Sequence, residues 1–241
     1  MKFIPIIIPC AGKGSRSGLS FPKSLFVYDG KTILESIINK CIVGCERLKL
    51  KPHFYIIIRN NREDFFNILS LYSSECSFTL VNQPYLAGTA DAVNCGVSEI
   101  INELDSNPLC ALIWGDAIGF NQETLVSSIE SMNGYSGVVP GFYTSNCYTI
   151  FEVNHQKMIT YCAETKDDIN QINGYTDIGM FIFKAKILKP FLDKEIMSSF
   201  INRDESSFIN VLSMAASELD YLFLDVALPS EKKGFNSPSD L

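Results

Sequence analysis

The feature that most constrains this chain is its opening. An apolar run over residues 3–8, rich in β-branched side chains, leads through Pro9-Cys10 into Ala11-Gly12-Lys13-Gly14-Ser15-Arg16, and Pro22-Lys23 follows. The run reads as a buried strand, and the glycines after it let the backbone turn tightly enough for its N–H groups to wrap a phosphate. The same stretch is locally cationic. Residues 1–28 carry Lys2, Lys13, Arg16 and Lys23 with no acidic residue before Asp29, in a chain whose formal net charge is -7. A cationic patch on an acidic molecule points to a small, multiply charged anion as partner.

Glycine turns after a first strand are common in α/β proteins, so spacing has to decide what this one does. The dinucleotide fingerprint would place a third glycine where Ser17 stands. The nucleoside-triphosphate loop ending at Gly30-Lys31-Thr32 would place its first glycine where Leu25 stands. What remains is the pair Gly12 and Gly14 with Arg16 close behind, then Pro22-Lys23.

The rest of the chain narrows the class. With 241 residues, 46% of them hydrophobic, it can build one sizeable α/β domain. No apolar run approaches the roughly 20 residues that cross a bilayer, and the first run is too short, and too interrupted by Pro5 and Pro9, for a signal peptide. The eight cysteines form no Cys-x-x-Cys pair and fall mostly in apolar segments. They read as reduced core residues of a cytoplasmic protein. A pI near 4.9 without a basic stripe argues against nucleic acid as a partner.

Periodicity gives the order of elements. Residues 32–48 carry a helical apolar stripe, with Thr32 and Glu35 spaced as a capping box. Strands are expected at 53–58, 78–81 and 109–114, and helices at about 62–72 and from Thr89 through the apolar positions to Leu104. The alternation predicts a parallel sheet with helices on both faces, and in such sheets the ligand sits beyond the carboxyl ends of the strands. The loops holding Gly12, Gln83 and Asp116 then converge on one crevice. From residue 136 strands dominate, at 137–143, 147–153, 158–164 and 175–184. Helices at about 185–192 and 206–218 and a strand at 221–226 follow. The organisation expected is a single domain over residues 1–241 in two halves, 1–133 and 134–241, with the nearest thing to a hinge at 134–146.

The loop AGKGSR with PKSL downstream resembles the signature of the nucleotidyltransferases that activate sugar phosphates, the pyrophosphorylases of the N-acetylglucosamine-1-phosphate uridyltransferase and glucose-1-phosphate thymidylyltransferase type. The resemblance runs from end to end. It implies a Rossmann-like, mostly parallel sheet flanked by helices, of the nucleotide-diphospho-sugar transferase (GT-A-like) kind, with a strand-rich substrate-binding subdomain. It also implies transfer of a nucleotidyl group from a nucleoside triphosphate to a small phosphorylated acceptor, with Mg2+ and release of pyrophosphate.

Such a transfer needs charge neutralisation around the triphosphate, a divalent metal on the α-phosphate and in-line placement of the attacking phosphate; no protein nucleophile is required. Arg16 and Lys23 are the expected electrostatic catalysts, with Ala11, Gly12, Lys13 and Gly14 holding phosphates. Their ordinary alternative is solvated surface charge. Asp116 closes a strand, where magnesium commonly finds one carboxylate and keeps other positions for phosphate and water; a turn aspartate is its plainer reading. The resemblance implies a second metal ligand at Asn236, in Gly234-Phe235-Asn236. Gln83, Gly88 and Thr89 resemble the segment that reads the base, with Thr89 as a simple helix cap the compatible alternative. Glu164 and Asp177 are the expected substrate contacts. On that side the sequence departs from the pattern. Asp177 stands for an asparagine, Ile178 for a threonine, and the Tyr-Gly-Arg turn survives only as Cys147-Tyr148-Thr149.

Two other functions stay open: a cytidylyltransferase acting on choline phosphate or a polyol phosphate, and a non-catalytic sensor of sugar nucleotides. A glycosyltransferase of related fold would need an Asp-x-Asp at the strand end, which Gly115-Asp116-Ala117-Ile118 does not supply. Relatives of this type continue into a further helix beyond the position of Leu241, so the expectation is one module of a longer protein, with a carboxyl-terminal module or a homo-oligomer as further partners.

Overall fold

The computed structural model describes residues 2–12, 18–104, 107–165 and 173–235. Its first strand is β1 (Lys2–Pro9), followed by a 3-10 turn at Lys23–Leu25 and a small hairpin of β2 (Val27–Tyr28) and β3 (Lys31–Thr32). Then come α1 (Ile33–Arg47), β4 (Leu50–Ile58), α2 (Arg62–Ser70), β5 (Ser77–Asn82), α3 (Thr89–Glu103), β6 (Leu109–Ile113) and α4 (Gln122–Glu130). The remainder runs β7 (Gly137–Thr144), β8 (Thr149–Val153), β9 (Ile159–Glu164), β10 (Gly174–Asp177), β11 (Met180–Lys184), α5 (Ala185–Asn202), α6 (Phe208–Ala216) and β12 (Tyr221–Asp225), closing with a 3-10 turn at Pro229–Lys232.

One sheet carries the strand order β5-β4-β1-β6-β11-β7-β10-β8-β9, with β12 on the other edge of β7. The first four of these pair in parallel, and β11 then joins β6 antiparallel. The expected Rossmann-like sheet flanked by helices is therefore met, parallel through its first half and mixed beyond. Apolar alternation explains the layering. Ile6 and Ile8 pack with Ile37 of α1 and Leu125 of α4 on one face, while Ile7 packs with Val93 of α3 and Phe208 of α6 on the other. All of these are fully buried, each contributing on the order of 1.5–3 kcal/mol. The core on either face draws on residues from both sides of residue 134.

Local signals hold where they are strong. The capping box forms, with Glu35 N–H donating to Thr32 Oγ1 at 3.1 Å and Thr32 N–H donating to Glu35 Oε2 at 2.7 Å. The strand expected over 175–184 is instead two strands. Asp177 accepts from the Gly179 N–H at 2.7 Å, an Asp turn that takes the backbone out of extended pairing. The helix expected over 185–192 continues to Asn202 through Pro190. That proline faces solvent, where water can satisfy the carbonyl its ring leaves unpaired. Short α4 was not among the elements expected from the sequence.

Candidate active site at the carboxyl ends of the strands

The carboxyl ends of β1, β5 and β6 open on one cavity of about 810 Å³. Its lining brings together Ala11, Gly12, Lys23, Gln83, Gly88, Thr89, Asp116, Glu164 and Asp177. Every expected site residue that falls among the described residues is thus on one wall or another of this space. Lys13, Gly14, Arg16 and Asn236 lie outside the described residues.

Lys23 and Asp116 form the centre. Lys23 Nζ donates to Asp116 Oδ2 at 3.1 Å and to the Phe235 carbonyl at 3.2 Å. Pro22 sets the turn that presents this lysine, with the Leu25 N–H donating to the Pro22 carbonyl at 2.9 Å, and Phe26 beyond it stacks on Phe235 with ring centroids 4.8 Å apart. Asp116 reaches the space because Gly115 stands in the turn just after β6. A Cβ at Gly115 would lie 2.5 Å from the Pro9 carbonyl, so only glycine lets the ends of β1 and β6 come this close. The Asp116 carbonyl accepts from Phe235 N–H at 2.8 Å, and Gly119 N–H donates to the Lys233 carbonyl at 2.9 Å. The loop after β6 is thereby laced to the segment that leads to Asn236.

That lacing is anchored by Glu231, which is 4% exposed. Its carboxylate accepts from the Asn121 N–H at 2.7 Å, the Leu228 N–H at 2.9 Å and Thr124 Oγ1 at 3.1 Å. Buried carboxylates of this kind are tolerable because donors surround them. Sequence reading did not single out Glu231, and its partners lie as far as 110 residues away.

The turn at Gly88 is fixed by an arrangement no local pattern shows. Gly88 has φ 110°, and a Cβ there would sit 2.1 Å from the Ser206 carbonyl oxygen. The amino ends of α3 and α6 meet at this point and cap one another. Asp91 N–H donates to Ser206 Oγ at 3.2 Å and Ala90 N–H to the Ser206 carbonyl at 3.3 Å, while Phe208 N–H donates to Thr89 Oγ1 at 2.9 Å. Thr89 therefore caps α6 rather than its own helix, and the Ala90 and Asp91 amides at the start of α3 are taken up by Ser206. Gln83, which is 2% exposed, donates through Nε2 to Asp91 Oδ2 at 2.7 Å, so its amide is oriented by α3.

On the far wall, Glu164 Oε1 accepts from Ser207 Oγ at 2.8 Å. Ser207 is itself held, its N–H donating at 3.0 Å to Glu195, a buried carboxylate on α5. Asp177 is 9% exposed, accepts from Thr149 Oγ1 and from Gly179 N–H, and its carboxyl is pushed above the ordinary carboxylate value chiefly by burial. Cys10 also lines the space, but burial raises its thiol to about 12, which leaves it protonated and not a nucleophile. His53 lies away from the lining, with Nε2 2.9 Å from Thr79 Oγ1.

Among the described residues no group of three or more His, Cys, Asp or Glu side chains is placed to hold a metal ion. The donors present suit magnesium nonetheless. Asp116 offers one carboxylate, its side chain 36% exposed in the cavity lining, and magnesium commonly takes one or two carboxylates together with substrate phosphates. No helix among the described residues is long and apolar enough to cross a membrane.

Known proteins bear on this geometry. No family model matches the chain. Over 237 residues, 98% of this chain, it is 24% identical to a bifunctional protein GlmU of Wolbachia sp. subsp. Brugia malayi (strain TRS), covering 55% of that protein. The chain spans about half the length of the curated relatives it matches nearly end to end. Among solved structures, a nucleoside-diphosphate-sugar pyrophosphorylase from Vibrio cholerae RC9 superposes with a TM-score of 0.75 at 18% identity, covering 98% of this chain and 97% of that one. The inositol-1-phosphate CTP transferase from T. maritima superposes with a TM-score of 0.73 at 17% identity, covering 100% and 92%. At such identities these structures speak for the fold.

Proposed function

We propose that the chain joins a sugar 1-phosphate to a nucleoside triphosphate, giving a nucleotide sugar and pyrophosphate, with magnesium, a reading supported by its similarity to a bifunctional protein GlmU and to the fold of a nucleoside-diphosphate-sugar pyrophosphorylase. The observation that carries this reading is the convergence of Lys23 and Asp116, 3.1 Å apart, with Gly12, Gln83, Gly88, Glu164 and Asp177 around a single cavity. In this reading residues 1–133 hold the nucleotide and residues 134–241 the acceptor.

The roles follow from charge and position. Ala11 and Gly12, with Lys13, Gly14 and Arg16, hold the β- and γ-phosphates. Lys23 neutralises charge that builds on the α-phosphate as the acceptor oxygen attacks, an electrostatic contribution that needs no proton transfer. Gln83, Gly88 and Thr89 bound the base, and Glu164 and Asp177 face the acceptor. Asp116, with Asn236, would hold the metal, which supplies Lewis-acid polarisation of the phosphate when bound. The acceptor's own phosphate oxygen is the nucleophile, consistent with a buried, protonated Cys10.

A polyol phosphate is the second reading of the acceptor. It is favoured by Asp177 and Ile178, which stand in place of the asparagine and threonine expected of a sugar site. Pyrophosphate release from each common triphosphate, with magnesium and a panel of sugar and polyol phosphates, tests both. Release with one pair, abolished by chelation and restored by magnesium, is the expected result; no release with any pair sinks the proposal and leaves a binding protein.

A further inference from the structure

Among the described residues lining the cavity, four are carboxylates, Asp116, Glu164, Asp177 and Glu205, and two are cations, Lys23 and Lys232. Lys23 is already engaged by Asp116. An acceptor that carries a phosphate dianion into such a wall meets repulsion unless a cation stands on its own side.

Lys232 occupies that position. It shares the lining with Tyr148, Thr149 and Asp177, the residues of the acceptor wall. Its Nζ donates to the Asn146 carbonyl at 2.9 Å, across the rim between the carboxyl-terminal segment and the turn from β7 to β8. An ammonium has three donors, and this bond uses one. The backbone that presents Lys232 is fixed on both sides. Glu231 before it is locked to Asn121, Thr124 and Leu228, and the carbonyl of Lys233 after it accepts from Gly119. The lysine is thus held in register with the loop bearing Asp116.

We propose that Lys232 is the cation that receives the acceptor's phosphate, so that the acceptor class is a phosphomonoester dianion of a sugar or polyol, selected over the neutral compound by this side chain. The inference rests on the nucleotidyl-transfer reading above and adds a residue to it.

The test compares wild type with Lys232→Gln and Lys232→Arg by two readouts. In the pyrophosphate-release assay, Lys232→Gln raises KM for the acceptor about ten- to a hundredfold, the range expected for a hydrogen bond to a charged group. It leaves KM for the triphosphate and the melting temperature unchanged, and Lys232→Arg recovers most of the loss. An unchanged acceptor KM, or an equal rise for the triphosphate, overturns the proposal. The second readout needs no turnover: calorimetric titration of glucose 1-phosphate and inositol 1-phosphate against glucose and inositol. Wild type binds the phosphorylated members more tightly, and Lys232→Gln loses that preference. If no triphosphate and acceptor pair reacts, the parent reading fails, yet this titration still decides Lys232. A preference shared equally by wild type and variant, or absent from wild type, overturns it.

Discussion

The wall that β1, β5 and β6 contribute stands on strands packed by apolar side chains, with Ile6, Ile7, Ile8 and Leu112 fully buried. The facing wall, from β8 to β10 and the segment over residues 228–235, is held by buried carboxylates, Asp177, Glu195 and Glu231, each surrounded by donors. The two kinds of scaffold fail differently. Apolar packing loses stability in small increments as methyl groups are removed. A buried carboxylate holds several donors at once, and its loss strands all of them. The first wall is suited to a backbone that changes little; the second can be re-lined by a few polar substitutions, and it holds Asp177 and Ile178, where the sequence departs from the pattern it resembles.

The largest expected effect separates chemistry from scaffold on the first wall. Lys23→Ala lowers the rate of pyrophosphate release at saturating substrates about 10²- to 10³-fold, with the melting temperature nearly unchanged because the pair it breaks is partly exposed. A large fall in melting temperature would show that Lys23 is scaffold after all. Next comes stability on the second wall. Glu231→Ala, which strands the Asn121 and Leu228 amides and the Thr124 hydroxyl, costs about 3 kcal/mol in urea unfolding. Ile8→Val on the first wall costs about 1 kcal/mol. Equal losses would erase the contrast between the two walls.

The smallest effect is one of pH. Burial raises the Asp177 carboxyl above its ordinary value, so the folded chain holds that proton more tightly than the unfolded one. The favourable contribution is complete below about pH 3.9 and is lost as pH rises toward the raised value. Melting curves in a pH series should show wild type losing stability relative to Asp177→Asn across that window. Parallel curves would mean that Thr149 and Gly179 offset the burial in full.

Much of the first wall could be read from residues alone, because its signals are local. A strand ending in glycine, a capping box and an aspartate after an apolar run need only a few neighbours to be recognised. Thr32 with Glu35, Gly12 and Asp116 all stand where spacing placed them. The second wall was legible only in part. Glu164 and Asp177, which the resemblance singled out, line the cavity, but what orients them did not show. Ser207 meets Glu164 across 43 residues, and Ser206 meets Thr89 across 117. Glu231 and Lys232 look like ordinary surface charges in a run reading Ser-Glu-Lys-Lys; the burial of Glu231 and the placement of Lys232 arise only when the segment over residues 228–235 folds back against α4 and the loop before it.

That fold-back has a mechanical side. Gly119, Asn121 and Phe235 each give an amide across the seam between the loop after β6 and the closing segment. Neither strip can drift without dragging the other, so the span from Asp116 to Phe235 is gauged by rungs rather than by the slack of the intervening chain.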